Sequence, residues 1–196
     1  MKRLIPLFFF ILLIQISSIS ASNSNEIKRI VIGNKNAKIS IIAYESLTCS
    51  HCANFHMDVL PNLKKEYIDT GLAKIEFRHF PLDMAAFNAS KISQCANDQN
   101  LEILESLYSN QQAWIKGNTI DEINNNLKKF IKKEGFKLNF EKCINDKEIE
   151  DFVLNDRIEA TKNFKVNSTP TIIINNKKFE KTLNYKNLKK SLEKLI

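Results

Sequence analysis

The sequence predicts an α/β fold in which a small sheet domain is interrupted by an all-helical region. Residues 37–80 carry strand, helix and strand patterns in succession. Residues 83–164 then show a series of helical patterns with little strand signal, and β character returns at residue 171. The helical stretch is therefore predicted to be an insertion between two parts of one sheet domain.

The N-terminal segment has the three-part pattern of a secretory signal peptide, predicted over residues 1–22. Lys2 and Arg3 form a basic start, residues 4–16 are almost continuously apolar, and a tail of mostly small residues follows. We expect cleavage after Ala21. The apolar run is shorter than the roughly 20 residues that span a bilayer, and a retained membrane anchor is the alternative.

Length and charge limit the classes of function. The 196 residues suit one domain that carries a large insertion. The formal charge of +7 becomes +5 without Lys2 and Arg3, and the lysines occur in short pairs along the chain. Because there is no dense basic block interleaved with aromatic residues, we expect no nucleic-acid binding.

Four segments of regular structure are predicted before the insertion. They are an edge strand at residues 27–32, a central strand at 37–44, a helix at 50–70 and a second core strand at 72–80. Ile39, Ile41 and Ala43 alternate along the central strand, as expected for a buried face. Pro61 lies inside the helix and predicts a kink, because proline removes a backbone hydrogen bond.

A right-handed βαβ unit with Cys-X-X-Cys at its first strand-to-helix junction is typical of thioredoxin-like proteins. The predicted fold is therefore a thioredoxin fold with an inserted all-helical domain. The predicted divisions are the signal peptide (1–22), a first thioredoxin-like part (23–82), the inserted helical domain (83–164) and a second thioredoxin-like part (165–196).

Periodic apolar residues predict five helical segments in the insertion. Their bounds are residues 84–96, 101–114, 120–133, 140–143 and 147–164. The third has the clearest amphipathic pattern, and Thr119 and Glu122 form a capping box at its start.

The last part of the chain returns to the sheet. A strand at residues 171–174 is followed by Asn175-Asn176, which tolerate the positive φ angles of a hairpin turn, and by a partner strand at 177–179. A final amphipathic helix is predicted to bury three leucines, at positions 188, 192 and 195.

The segment Cys49-Ser50-His51-Cys52 carries the clearest chemical signal. At the start of a helix, the first sulfur lies among unpaired backbone N–H groups at the positive end of the helix dipole, which stabilises its thiolate. The second cysteine lies about one turn away on the same face, close enough to form a small disulfide ring. A partly positive His51 imidazole is expected to lower the Cys49 pKa further, which makes the disulfide a stronger oxidant.

The same spacing also supplies half of many zinc sites, and a metal carrier is the alternative. No second Cys-X-X-Cys exists, so zinc would have to recruit His51, His56 or the distant cysteines. We predict no metal site. We expect His56 to be an exposed helix residue and His79 to be a hydrogen-bonded residue at a strand end.

All four cysteines lie in the predicted mature chain and allow three pairings. Geometry favours Cys49 with Cys52, which leaves Cys95 with Cys143; two buried free thiols are the alternative to this second disulfide. A further position of interest is Thr169-Pro170, just before the returning strand. Proline cannot donate to a sheet ladder, so Pro170 marks a special turn that is compatible with a cis peptide bond.

The segment from Ser46 to His56 resembles the active-site segment of the DsbA-like family of secreted thiol–disulfide oxidoreductases, especially its α-proteobacterial branch. The resemblance continues through residues 60–61, 67–71, 80–83, 95–96, 140–144 and 166–175, and so covers nearly the whole mature chain. It implies Cys49 as the nucleophile, Cys52 as the resolving thiol and Pro170 as a cis-proline that faces them. The backbone of Thr169 would pair with a substrate peptide.

By this resemblance, the protein is an enzyme that donates its Cys49–Cys52 disulfide to reduced, unfolded secreted proteins in the periplasm, without a cofactor. Some relatives also carry a structural disulfide in the insertion, where Cys95 and Cys143 lie. A quinone-linked membrane protein of the DsbB type would restore the disulfide. A disulfide isomerase or reductase of the same fold and a non-redox peptide-binding or chaperone module are the alternatives.

Three residues depart from the family pattern. Ser50 stands where proline is familiar, Ser168 stands where relatives often carry glycine, and Ala43 occupies a position that is acidic in several relatives. Glu45 points to the same side of a strand as Ala43 and is a candidate for proton transfer from Cys52. A solvated loop carboxylate is the alternative for Glu45.

Overall fold

The computed structural model of the protein describes residues 27–96 and 101–196. The predicted signal peptide at residues 1–22 and its cleavage site after Ala21 lie outside the described residues. Within the two described ranges, no helix is both long and apolar enough to cross a membrane.

In the described part of the chain, a five-stranded mixed sheet has the strand order β1-β3-β2-β4-β5. The strands are β1 (Ile30–Gly33), β2 (Ile39–Glu45), β3 (Ala73–His79), β4 (Thr171–Ile174) and β5 (Lys177–Lys178). β2 pairs in parallel with β3 and antiparallel with β4. Since the helical region lies between β3 and β4, the chain leaves the sheet and returns to it, which confirms the predicted fold class.

The position of β2 in the middle of the sheet follows from its side chains. Ile39, Ile41 and Ala43 are at most 1% exposed, as the alternating pattern predicted. The parallel register places the last β2 residue, Glu45, beside His79 at the end of β3. This edge of the sheet is where the chain turns into the first helix.

The helical segment after β2 changes its hydrogen-bond register twice. α1 (Ser50–Asn54) continues through a π-helical turn (Phe55–Val59) into α2 (Leu60–Leu63) and then into a second π-helical turn (Lys64–Ile68). Pro61 lies in the first turn of α2 and has no N–H to donate. Just before it, the Leu60 N–H reaches back five residues to the Phe55 oxygen. A π-helical turn thus comes directly before the helical turn that contains Pro61, while the predicted kink stays a prediction.

The inserted region is helical, as predicted. Its helices in the described ranges are α3 (Met84–Cys95), α4 (Glu102–Ser109), α5 (Gln111–Trp114), α6 (Ile120–Lys133), α7 (Phe140–Ile144) and α8 (Lys147–Phe164). At the start of α6, the Thr119 hydroxyl accepts the Glu122 N–H at 3.2 Å, while the Glu122 carboxylate accepts the Asn118 N–H at 2.7 Å. The reciprocal bond of the predicted capping box is thus displaced by one residue.

The inserted helices share one buried core with the sheet. This core includes Ile41 and Ile75 of the sheet, Phe55 beside α1, and Leu107 and Trp114 of α4 and α5. Burial of these apolar side chains is the main force that holds the insertion against the sheet.

Two further contacts hold the inserted helices, one to the sheet domain and one to each other. Asp156 of α8 is 0% exposed, pairs with Arg29 before β1, and accepts the His79 backbone N–H at 3.0 Å. A disulfide joins Cys95 at the end of α3 to Cys143 in α7, with a Cα–Cα distance of 5.6 Å.

The C-terminal part matches the prediction except at its end. Asn175 and Asn176 have φ angles of 45° and 64° in the hairpin between β4 and β5. In α9 (Tyr185–Leu192), Leu188 and Leu192 are 0% exposed. The predicted burial of Leu195 is wrong, since this side chain is 41% exposed beyond the last residue of the helix.

Candidate active site

Cys49 and Cys52 lie where β2 passes into α1. Cys49 is the N-cap residue of α1 and has an extended backbone. Its N–H donates to the Ser46 oxygen at 3.0 Å, and its carbonyl oxygen accepts the Cys52 N–H at 3.1 Å. Cys49 is partly exposed, whereas Cys52 is 0% exposed. Both are free thiols, so the structure represents the dithiol form of the site.

The two thiols have opposite acidities. A hydrogen bond from the Cys52 thiol lowers the pKa of Cys49 to about 5, with further help from Thr169 and from the backbone N–H groups of Cys52 and His51. Burial raises the pKa of Cys52 far above its usual range, and the hydrogen bond with Cys49 and the charge of Glu45 act in the same direction. At neutral pH, Cys49 is therefore a thiolate and Cys52 a thiol.

Thr169 and Pro170 face this pair from the loop before β4. The peptide bond between them is cis. The Cys49 sulfur lies 3.4 Å from the Thr169 carbonyl oxygen, to which it donates a hydrogen bond when it is protonated. The Thr169 side chain lowers the pKa of Cys49, and its buried hydroxyl has no other hydrogen-bond partner in the described structure. Ser168, at the position where relatives often carry glycine, is exposed, and its carbonyl oxygen accepts the Thr171 hydroxyl at 2.7 Å.

A groove of about 440 Å³ runs beside this loop. Its lining includes His51, Phe55, Val59, Thr169, Pro170 and Leu183. The His51 side chain is exposed there, and its effect on the Cys49 pKa through the imidazole remains a prediction. A larger groove of about 610 Å³, between α6 and α7, contains no cysteine.

Glu45 and His56 form a buried pair behind the cysteines. Glu45 is 4% exposed within β2, so the alternative of a solvated loop carboxylate is wrong. The expected exposure of His56 is also wrong, because this side chain is only 7% exposed. Four residues after Cys52, it lies on the same helix face and points towards the sheet. His56 Nε2 lies 2.9 Å from Glu45 Oε2, and the Tyr108 ring stacks on the imidazole with 4.2 Å between centroids.

His79 is hydrogen-bonded at its strand end, as predicted, with Nε2 lying 3.2 Å from Gln94 Oε1. Burial lowers its pKa, so it is neutral at physiological pH. Among residues 27–96 and 101–196, no cluster of three or more His, Cys, Asp or Glu side chains could hold a metal ion.

Sequence reasoning missed two residues that reach the site from the insertion. Tyr108 of α4 stacks on His56, and Gln111 of α5 donates hydrogen bonds to two backbone oxygens next to Cys49. Both residues lie more than fifty positions after the Cys-X-X-Cys in sequence. Helical periodicity predicts that such residues are buried, but it does not predict what they touch.

Comparison with known proteins agrees with this geometry. A family model described as thioredoxin matches residues 25–194. The crystal structure of Wolbachia pipientis alpha-DsbA1 superposes with a TM-score of 0.77 and 30% identity, and the match covers 86% of this chain and 90% of that one.

Two curated relatives are named for disulfide chemistry. A Rickettsia bellii protein named as a protein-disulfide oxidoreductase is 30% identical over 149 residues, which are 74% of this chain and 56% of that protein. Disulfide bond formation protein D of Bacillus subtilis is 25% identical over 174 residues, which are 84% of this chain and 75% of that protein. This chain thus spans little more than half the length of the rickettsial relative.

Proposed function

Because the chain belongs to the thioredoxin family, in its DsbA-like branch, we propose that it is an exported thiol–disulfide oxidoreductase that donates its Cys49–Cys52 disulfide to reduced proteins. The observation that carries this proposal is the difference between the two thiols. Cys49 is partly exposed with a pKa of about 5, and it lies against the cis bond of Thr169-Pro170. A cysteine with these properties is a good leaving group in disulfide exchange.

The first step is attack on the Cys49–Cys52 disulfide. A substrate thiolate attacks Cys49 Sγ, which is the more exposed sulfur. The bond between the two protein sulfurs breaks, a mixed disulfide forms between the substrate and Cys49, and the electron pair leaves with Cys52. Because the pKa of Cys52 is raised by burial, this sulfur then takes up a proton.

The second step releases the product. A second substrate thiolate attacks the substrate sulfur of the mixed disulfide, and Cys49 leaves as a thiolate. Two substrate thiols have been oxidised to a disulfide, and the protein disulfide has received two electrons. Since backbone N–H groups and the Cys52 thiol stabilise the Cys49 thiolate, the reduced form is favoured and the protein acts as an oxidant.

We propose Glu45 as the group that exchanges a proton with Cys52, and His56 as the residue that holds Glu45 in place. The carboxylate is buried, is held through Oε2 by His56, and its charge acts on Cys52. Its other oxygen, Oε1, has no hydrogen-bond partner in the described structure and is available to take a proton. Glu45→Gln should slow the disulfide-exchange steps in which the Cys52 thiol must lose its proton. The control Glu180→Gln changes an exposed carboxylate and should leave the rate of these steps unchanged.

The substrates that fit this proposal are reduced, unfolded secreted proteins. An extended peptide would pair with the backbone at Thr169 and lie along the groove next to Pro170. The predicted signal peptide supports export to the periplasm, and a quinone-linked DsbB-type membrane protein would reoxidise the dithiol. No cofactor is needed, because the two sulfurs carry both electrons.

The test uses the oxidised protein and a reduced peptide that contains two cysteines. After an acid quench, mass spectrometry should find a disulfide in the peptide and free thiols at Cys49 and Cys52. A matched control replaces the other disulfide, as Cys95→Ala/Cys143→Ala, and should still oxidise the peptide. If oxidised wild type left the peptide reduced, or if Cys49→Ser oxidised it equally well, the proposal would be wrong.

A further inference from the structure

The inserted helical region contacts the backbone of the nucleophile through one side chain. Gln111, the first residue of α5, is 8% exposed. Its amide nitrogen Nε2 donates to the Leu47 oxygen at 2.8 Å and to the Cys49 oxygen at 3.1 Å. Both hydrogens of this amide are thus used on the short loop that carries Cys49 into α1.

This contact holds the backbone where the thiolate is stabilised. The Cys49 oxygen also accepts the N–H groups of Cys52 and Ala53, at 3.1 and 3.2 Å, and these are the first hydrogen bonds of α1. The backbone N–H groups of Cys52 and His51 in turn lower the pKa of Cys49. A donor that anchors the Cys49 oxygen therefore fixes the direction of the N–H groups that face the sulfur.

The donor is itself held firmly. Trp114 of α5 is 0% exposed, and its indole N–H donates to the Leu107 oxygen at 3.0 Å. Leu47 is 1% exposed, and among the described residues only Gln111 donates to its carbonyl oxygen. A buried carbonyl left without a donor is unfavourable, so the loop has one preferred position relative to α5.

We propose that Gln111 is a positioning residue, through which the inserted helical region holds the Cys49 loop in the conformation that stabilises the thiolate. This inference rests on the proposed redox role of Cys49. It makes the oxidising strength of the site depend on how the insertion is packed, in addition to the residues of the Cys-X-X-Cys.

The test compares Gln111→Met with Gln112→Met. Methionine has nearly the length of glutamine but no donor, and Gln112 is the exposed neighbour on the same short helix. Equilibration with glutathione gives the ratio of oxidised to reduced protein, and thiolate absorbance gives the Cys49 pKa. Gln111→Met should raise the Cys49 pKa and increase the oxidised-to-reduced ratio about three- to tenfold, the effect expected for loss of the single hydrogen bond to the Cys49 oxygen. Gln112→Met should match the wild type.

A purely structural role would lower the stability of Gln111→Met and leave both redox readouts unchanged, and that result would overturn the proposal. If Gln111→Met does not fold, hydrogen exchange of the wild-type side-chain amides decides instead. The Gln111 amide should exchange much more slowly than that of Gln112, and equal rates would overturn the proposal. A wild-type Cys49 pKa near the ordinary value would instead contradict the proposed function.

Discussion

Lowering the pH should destabilise the reduced protein through Cys49. The pKa of this thiol falls from its ordinary value of 9.0 to about 5 in the folded chain. Between these values the unfolded chain binds a proton at Cys49 that the folded chain does not bind. The free energy of unfolding therefore rises with pH across this window, and the stabilisation is lost as the pH falls through about 5.

The magnitude follows from the shift. A change from 9.0 to about 5 corresponds to about 5 kcal/mol if it is fully retained. Because Cys49 is partly exposed, solvent screens its interactions, and we expect about 2 to 3 kcal/mol instead.

Urea unfolding of the wild type and of Cys49→Ser, both under reducing conditions, measures this contribution over a series of pH values. Serine does not titrate, and the two proteins share every other ionisable group. The stability difference between them should grow by about 2 to 3 kcal/mol from acid to mildly alkaline pH. A difference that stays constant with pH would refute a lowered pKa at Cys49.

Three further predictions concern stability and use urea unfolding at neutral pH. Asp156→Ala should lower the free energy of unfolding by about 3 kcal/mol, because it removes the buried partner of Arg29; Asp156→Asn should lower it less. Cys95→Ala/Cys143→Ala should lower it by up to about 4 kcal/mol under oxidising conditions, since the disulfide closes a loop of 48 residues. Thr119→Ala should lower it by about 1 kcal/mol through loss of the N-cap, and Thr119→Ser should restore it. If Asp156→Ala, the double cysteine variant or Thr119→Ala lowered the free energy of unfolding by less than about 0.5 kcal/mol, the contribution assigned to the contact that it removes would be wrong.

The elements that sequence predicted best have their signals within a few residues. α6 and α8 have the predicted bounds because capping residues and apolar spacing are local. The buried face of β2 and the hairpin at Asn175-Asn176 were predicted for the same reason. At Pro61 the local rule predicted a kink, but it did not predict the π-helical turn in which the Leu60 N–H bonds to the Phe55 oxygen.

The buried pair beside Cys52 shows where local reasoning stops. Glu45 and His56 are both polar, and each was compatible with an exposed position when judged by type. His56 follows Cys52 by four residues on the same helix face, but we expected it to be exposed, because burial of an imidazole requires a partner that the local sequence does not reveal. That partner is on the neighbouring strand, and the aromatic ring that covers the pair, Tyr108, comes from α4.

The sequence alone determined the reactive pair, its place at the start of a helix, and the thioredoxin fold with a helical insertion. These features follow from residue types and from their spacing over a few positions, which can be read without knowing how the chain packs. The family resemblance had also implied that Pro170 faces the cysteines. Tertiary structure decided the contacts around them: the Thr169 oxygen at the Cys49 sulfur, the pairing of Glu45 with His56, and the bond from Gln111 to the Cys49 carbonyl oxygen. Their contacts join positions as much as 120 residues apart, and only packing of the sheet and the inserted helices around one core brings such positions together.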